Sequence, residues 1–323
     1  MNNLTVSLSP HIHSRNSITR EMWNVIIALI PALAVAIWTF GLPALAVIAV
    51  CLATCVLCEW LIVRFLFHRP STIADGSAII TGLLLAFNLP ASIPLWMAAV
   101  GSVVAIAIAK MSFGGLGRNI WNPALTGRVF LLISFPAAMT TWPEGVASGV
   151  AHISGASAHA NSGATLLTTL NAHPGMDLDS VNILNLLTGN MNGSLGEVGS
   201  LAIIIGLIYL LATKTIKWQI PVSILASAAF FSFIFGGNPL LDLLAGGLML
   251  GAVFMATDYV TSPMTAKGQI IYGILIGMIT IIIRRFGSYP EGVSFAILLM
   301  NSFVPLINRY CRPRVFGERR AAK

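Results

Sequence analysis

Charge is the scarcest resource in this chain of 323 residues: Lys, Arg, Asp and Glu together make up 9 % of it, against 56 % hydrophobic residues. An ordinary soluble domain carries about 25 % charge. A mean hydropathy of +0.86 excludes the same class. Cysteine is nearly absent. Cys51, Cys55, Cys58 and Cys311 fall in or beside apolar stretches, which excludes a disulfide framework. Cys51, Cys55 and Cys58 share one helical face at i, i+4 and i+7; that pattern serves packing, since a cluster would need a fourth ligand from elsewhere. No phosphate-binding loop, dinucleotide fingerprint or HExxH occurs, so no ATP- or NAD-binding domain is expected. Lys and Arg are missing altogether between Arg128 and Lys214, while Glu144, Asp177, Asp179 and Glu197 lie in that interval.

What is present is a series of apolar runs of about membrane-spanning length. They predict ten spans: about 23–40, 44–67, 75–88, 94–110, 119–138, 198–212, 220–235, 241–257, 269–283 and 292–308. This gives a polar arm at 1–22, a first group of five spans at 23–138, a long polar loop at 139–197, a second group of five at 198–308 and a basic tail at 309–323. The arm is too long and polar for a cleavable signal sequence. The net charge of +7 reads as topology rather than nucleic-acid binding, because the basic residues stand at span ends. Arg15/Arg20, Arg64/Arg69, Lys110/Arg118, Lys214/Lys217, Lys267 and the C-terminal cluster fall on one side. Both termini are therefore expected in the cytoplasm and the long loop outside. Arg284 and Arg285 break the pattern, and snorkelling to headgroups is the expectation for them.

The two groups of spans echo each other weakly. Gly82 with its apolar run and Gly247 with its own, Asp75 and Asp242, and Gly117 and Gly287 are offset by about 165 to 170 residues. Five spans per group is an odd number, so the second group is expected upside down relative to the first, with short broken spans meeting near the midplane. Asp75 and Asp242 read as helix caps, and Glu59 as an interfacial partner of Arg64. Asp258 sits at a helix break beside Thr257, Tyr259, Thr261 and Pro263. It is expected either to contribute to a cation path, with Asn88 as its rough counterpart, or to pair with Lys267 at the cytoplasmic end of its span.

One small-residue stretch in the long loop, Ser162-Gly163-Ala164-Thr165, leaves a Thr hydroxyl open to a large reagent, although it also reads as flexible low-complexity loop. Set beside Asp75-Gly-Ser-Ala-Ile-Ile-Thr-Gly, Phe113-Gly-Gly-Leu-Gly-Arg-Asn-Ile-Trp-Asn-Pro-Ala, Met255-Ala-Thr-Asp-Tyr-Val-Thr-Ser-Pro and Arg285-Phe-Gly-Ser-Tyr-Pro-Glu-Gly-Val, it resembles the RnfD/NqrB family of membrane subunits over nearly the whole chain. The short arm is closer to the RnfD branch. The resemblance implies a fold of two inverted five-helix repeats and FMN joined through its phosphate to Thr165 by a separate flavin transferase, with room for a second, non-covalent flavin. It implies membership of an Rnf complex, with the A, B, C, E and G subunits, in the plasma membrane, electron transfer between ferredoxin and NAD+, and movement of Na+ or H+. His159 and Asn161 stand where the family often has an acidic residue, and Leu166 stands where it has Pro. Two other readings stay open at this level: a stand-alone secondary transporter or channel, and a scaffold component without cofactor.

Overall fold

The computed structural model describes residues 17–70, 72–142, 187, 193–197, 199–287 and 291–312. The flavin motif around Thr165, the N-terminal arm to residue 16 and most of the tail lie outside the described residues. Among those described there is no strand.

Helix α1 is Ile18–Phe40, and α2 is Leu42–Leu61, extended by a π-helical stretch, Ile62–Leu66. After a 3-10 turn, Ile73–Asp75, come α3 (Ser77–Phe87) and α4 (Leu95–Val103), the latter continuing as a π-helical stretch, Val104–Met111. Helix α5 is Pro123–Ser134, followed by the single turn α6, Pro136–Met139. The second group holds α7 (Ser200–Ala212), α8 (Gln219–Ile234) and α9 (Pro239–Leu244). Helix α10 (Leu248–Leu250) runs on as a π stretch, Gly251–Met255. Then come α11 (Ala266–Phe286) and α12 (Val293–Tyr310). Four segments, Ile18–Phe40, Leu42–Leu66, Ala266–Phe286 and Val293–Tyr310, are long and apolar enough to cross a membrane, and five shorter apolar helices accompany them. Large apolar side chains such as Trp38, Phe233 and Phe286 are exposed on the outside, as expected where lipid is the solvent. The chain is a multi-pass membrane protein.

Local chemistry sets the helix ends. Ser17 Oγ accepts from Arg20 N, which starts α1 earlier than apolarity alone suggests. Two Asn-Pro pairs do the same job in the two groups. Asn122 Oδ1 accepts from the Ala124 and Leu125 amides, and Asn238 Oδ1 from the Leu240 amide, each with Pro at the first helical position. Helix α3 stops where Asn88 turns back to donate to Leu84 O at 2.5 Å and Pro90 can continue nothing. The expected span 241–257 is broken in its own middle, at Ala245-Gly246-Gly247, with Gly246 at φ 70°.

Helices α1 and α7 pack against each other and run antiparallel. Asn24 Nδ2 donates to Thr215 Oγ1 just beyond the end of α7 (3.2 Å). A Cβ on Gly206 would lie 2.6 Å from Ala28 O, and one on Gly199, before α7, would lie 2.7 Å from Val35. The molecule thus has two ends, one where α1 begins and one where α7 begins. Helix α3 leaves the first, where Gly76 touches Ile26 and Met22, and stops toward the second, where Phe87 O and Leu89 O accept from the Gly196 and Leu195 amides. The α9–α10 segment travels the opposite way, from Leu244 O, which accepts from Ser200 Oγ, to Tyr259, whose hydroxyl donates to Thr215 O. The two broken segments cross in the core, where Phe87, Leu85, Leu250 and Val253 are buried.

Candidate functional site

The crossing point brings together the expected residues of the broken spans. Asn88 Nδ2 lies 3.7 Å from Met255 Sδ, and Asn122 Nδ2 donates to Met255 O at 3.2 Å. Asn88 and the end of α10 therefore do meet. Asp258 is placed further along, at the end where α1 begins. It accepts from Asn119 Nδ2 (3.4 Å), Thr261 Oγ1 (3.1 Å) and the Val260 amide (3.4 Å). Lys267 is exposed and is not among these partners, so the pairing expected as the alternative is not made. Asp258 instead faces a cavity of about 110 Å³, shared with Glu21, Ser77, Lys110, Asn119 and Thr257. Pockets for drug-sized ligands hold roughly 300–1,000 Å³. This one suits water or a small ion and does not fit a flavin.

Two buried ionic clusters depend on partners far apart in sequence. At the end where α1 begins, Lys110 Nζ donates to Glu59 Oε2 and to Ser77 Oγ, both at 2.6 Å. Thr72 Oγ1 donates to Glu59 Oε1 at 2.9 Å, and Ser77 donates to Asp75 Oδ1 through its hydroxyl (2.6 Å) and its amide (2.8 Å). Lys110 and Glu59 are 2 % and 1 % exposed. This corrects two expectations. Glu59 does not pair with Arg64, which is exposed, and Lys110 is not a topological charge at the surface. Asp75 does act as a cap for the start of α3.

At the opposite end, Arg285 Nη2 donates to Asp242 Oδ2 at 2.7 Å, and Ser232 Oγ donates to the same oxygen at 2.5 Å. Arg284 donates to Asp242 O (2.5 Å) and Ala245 O (3.0 Å), two carbonyls freed by the helix break. With Arg284 at 2 % exposure, the expected snorkelling is overturned: a guanidinium fork satisfies broken-helix carbonyls better than a distant headgroup would. Asp242 is likewise a buried ion-pair partner rather than a cap, the cap being Asn238. Nearby, Arg128 of α5 is paired with Glu291 and donates to Ser294 Oγ, tying the first group of helices to α12. Glu197 accepts from the Ser194 amide, and its Oε1 has no partner, as is also true of Arg128 Nε and Arg284 Nε. Single charges inside apolar helices, as at Lys110 and Arg128, are the sequence signal that marks such groups.

Among the described residues no three His, Cys, Asp or Glu side chains gather to hold a metal, and Cys51 and Cys55 are buried in packing. Ser162, Gly163, Ala164 and Thr165 lie outside the described residues, so the geometry neither places nor displaces the flavin.

Comparison with known proteins bears on nearly the whole chain. The family model described as "NQR2, RnfD, RnfE family" matches residues 5–317. The chain is 48 % identical over 323 residues (99 % of this chain, 98 % of the relative) to the D subunit of the Na(+)-translocating ferredoxin:NAD(+) oxidoreductase complex of Acetobacterium woodii. It is 42 % identical over 330 residues (99 % and 98 %) to the D subunit of the proton-translocating ferredoxin:NAD(+) oxidoreductase complex of Clostridium ljungdahlii. It is 38 % identical over 335 residues (96 % and 95 %) to the D subunit of the ion-translocating oxidoreductase complex of Stutzerimonas stutzeri. The chain belongs to the NQR2, RnfD, RnfE family.

Proposed function

We propose that this chain is the D-type membrane subunit of an ion-translocating ferredoxin:NAD+ oxidoreductase, carrying FMN on Thr165 and lining part of a cation path. The observation that carries the reading is the full-length likeness to such subunits, joined to two antiparallel broken helices whose ends meet at Asn88, Asn122 and Met255. Antiparallel α1 and α7, and the opposite courses of α3 and α9–α10, support ten spans in two inverted five-helix repeats. In the bilayer, the end holding Lys110 and Asp258 faces the cytoplasm with both termini, and the end holding Asp242 and the root of the long loop faces outside. The other Rnf subunits supply and accept electrons, and a flavin transferase makes the phosphoester.

A tethered flavin cannot be lost from an outer face that has no nucleotide-binding domain. The flavin supplies the redox chemistry, and the chain positions it. Asp258, Asn119, Thr257 and the carbonyls at the helix break offer hard oxygen ligands to a small cation. The two relatives named for Na+ and for protons share this family, so the ion is not decided by membership. A second, non-covalent flavin is assigned no site, because the described cavity is too small for it. The test is in-gel flavin fluorescence of the denatured chain, expressed with its transferase. A fluorescent wild-type band that vanishes in Thr165→Val supports the reading. A dark wild-type band overturns it and leaves a transporter or scaffold.

A further inference from the structure

The two buried clusters are built from the same parts. Each has a base from the end of the fourth helix of its group, an acid and a serine. Near α1's start the acid, Glu59, is on the second helix and the serine, Ser77, opens the third. At the opposite end the serine, Ser232, is on the second helix and the acid, Asp242, on the third. The bases differ in kind. Arg284 and Arg285 are planar forks, always charged, spread over a carboxylate and two carbonyls. Lys110 is a compact point charge on a flexible stem, and its two oxygen partners are 2.6 Å away.

Three further features set Lys110 apart. Its side chain borders the 110 Å³ cavity that also holds Asp258, Asn119 and Thr257, so the site communicates with the polar lining of the proposed cation path. It rides on a π-helical stretch, where the helical register is already loosened. Directly after it, Gly114, Gly115 and Gly117 all have positive φ, and the Gly115 amide donates to Lys110 O.

We propose that Glu59, Ser77 and their hydrogen-bonded neighbours form a binding site for a free monovalent cation, and that the Lys110 ammonium fills it as a tethered cation. The site at the opposite end is locked by arginines and takes no free ion. A carboxylate in this position needs a positive partner, because an unpaired buried charge is strongly unfavourable. The inference deepens the proposed cation path and rests on it for its part in turnover. The site itself is tested without electron flow, so its failure leaves the flavin reading standing.

The experiment uses the full chain purified in detergent, with Lys110→Met, Glu59→Gln/Lys110→Met and Arg284→Met. Thermal unfolding is followed by tryptophan fluorescence in NaCl and in choline chloride at equal ionic strength. Wild type should unfold at one midpoint in both salts. Lys110→Met should gain a saturable, Na+-specific rise of about 3 °C or more, absent from the double variant and from Arg284→Met. If Lys110→Met folds only when Na+ is present throughout, while the double variant folds in either salt, the proposal also holds. A Lys110→Met midpoint that ignores Na+ means the carboxylate has taken a proton instead, and overturns it. So does a Na+ effect that survives in the double variant, or recovery of the double variant alone.

Discussion

Gly277 of α11 offers the sharpest steric test of the fold. With Gly273 it forms a Gly-x-x-x-Gly pair on the face of α11 that packs on α8, opposite Ser223 and Ser227. Ser227 Oγ reaches across the interface and donates to Gly273 O at 3.3 Å. In lipid, where apolar surface gains nothing from leaving water, such close small-residue contact is what holds helices together. A Cβ at 277 would collide with Ser227 Oγ and stand 2.7 Å from Ile224 O and 2.8 Å from Ala228 N. The hydroxyl can rotate away, but the backbone atoms cannot. To reach an ordinary contact of about 3.4 Å the helices must separate by roughly 0.7 Å, which forfeits packing along the pair. Overpacking of this kind costs about 1–3 kcal/mol, and the better helix propensity of Ala returns about 1 kcal/mol. Gly277→Ala should therefore lose about 1 kcal/mol and unfold about 2–4 °C lower. At Gly273 the collision is with the Ser223 hydroxyl, while the nearest backbone atom, Ile220 O, is 3.2 Å away. Gly273→Ala should thus be the milder change. Thermal unfolding in detergent, read by tryptophan fluorescence, ranks the two. A Gly277→Ala variant as stable as wild type, or more stable than Gly273→Ala, refutes the packing of α8 on α11.

Arg128→Met should cost about 3–5 kcal/mol by stranding Glu291 in a buried position, and Glu291→Gln in the same chain should restore most of it; a double variant no better than the single one, in the same thermal assay, contradicts the pair. Asp258→Asn keeps size and shape, so the complex should assemble with its flavin but lose ferredoxin-driven ion uptake in inverted vesicles or uncouple it from electron flow; uptake at the wild-type ratio of ions to electrons removes Asp258 from the path. A cysteine at Ser157 should react with an impermeant maleimide in intact cells or spheroplasts; labelling only after lysis reverses the orientation.

Much of the helix order is readable from sequence because apolar run length and Gly/Pro punctuation act locally. The Asn88-Leu89-Pro90 stop and the Asn122-Pro123 start are one-residue chemistry, visible without a partner. The charged residues are harder. Arg64 is five positions from Glu59, whereas Lys110 is its partner from a different helix. Nothing local distinguishes a lysine that ends a helix in headgroups from one that ends it in a buried carboxylate. The same holds for Arg284, whose partners are carbonyls released by a break at Ala245-Gly246-Gly247, inside a run that reads as continuous. The neighbours of Asp258 narrow it to two roles, and only the cavity wall and Asn119 distinguish them. The motif at Thr165 depends on a recognisable word rather than on packing, which is why it is legible although it lies outside the described residues.

The covalent flavin is the central claim, and the mass of the intact chain tests it most directly. Purified from a host that supplies the transferase, wild type should exceed the 34.3 kDa of its sequence by the mass of one FMN less one water, and Thr165→Val should match its own sequence mass. A wild-type chain at the bare sequence mass, or a Thr165→Val chain that still carries the addition, would contradict the account.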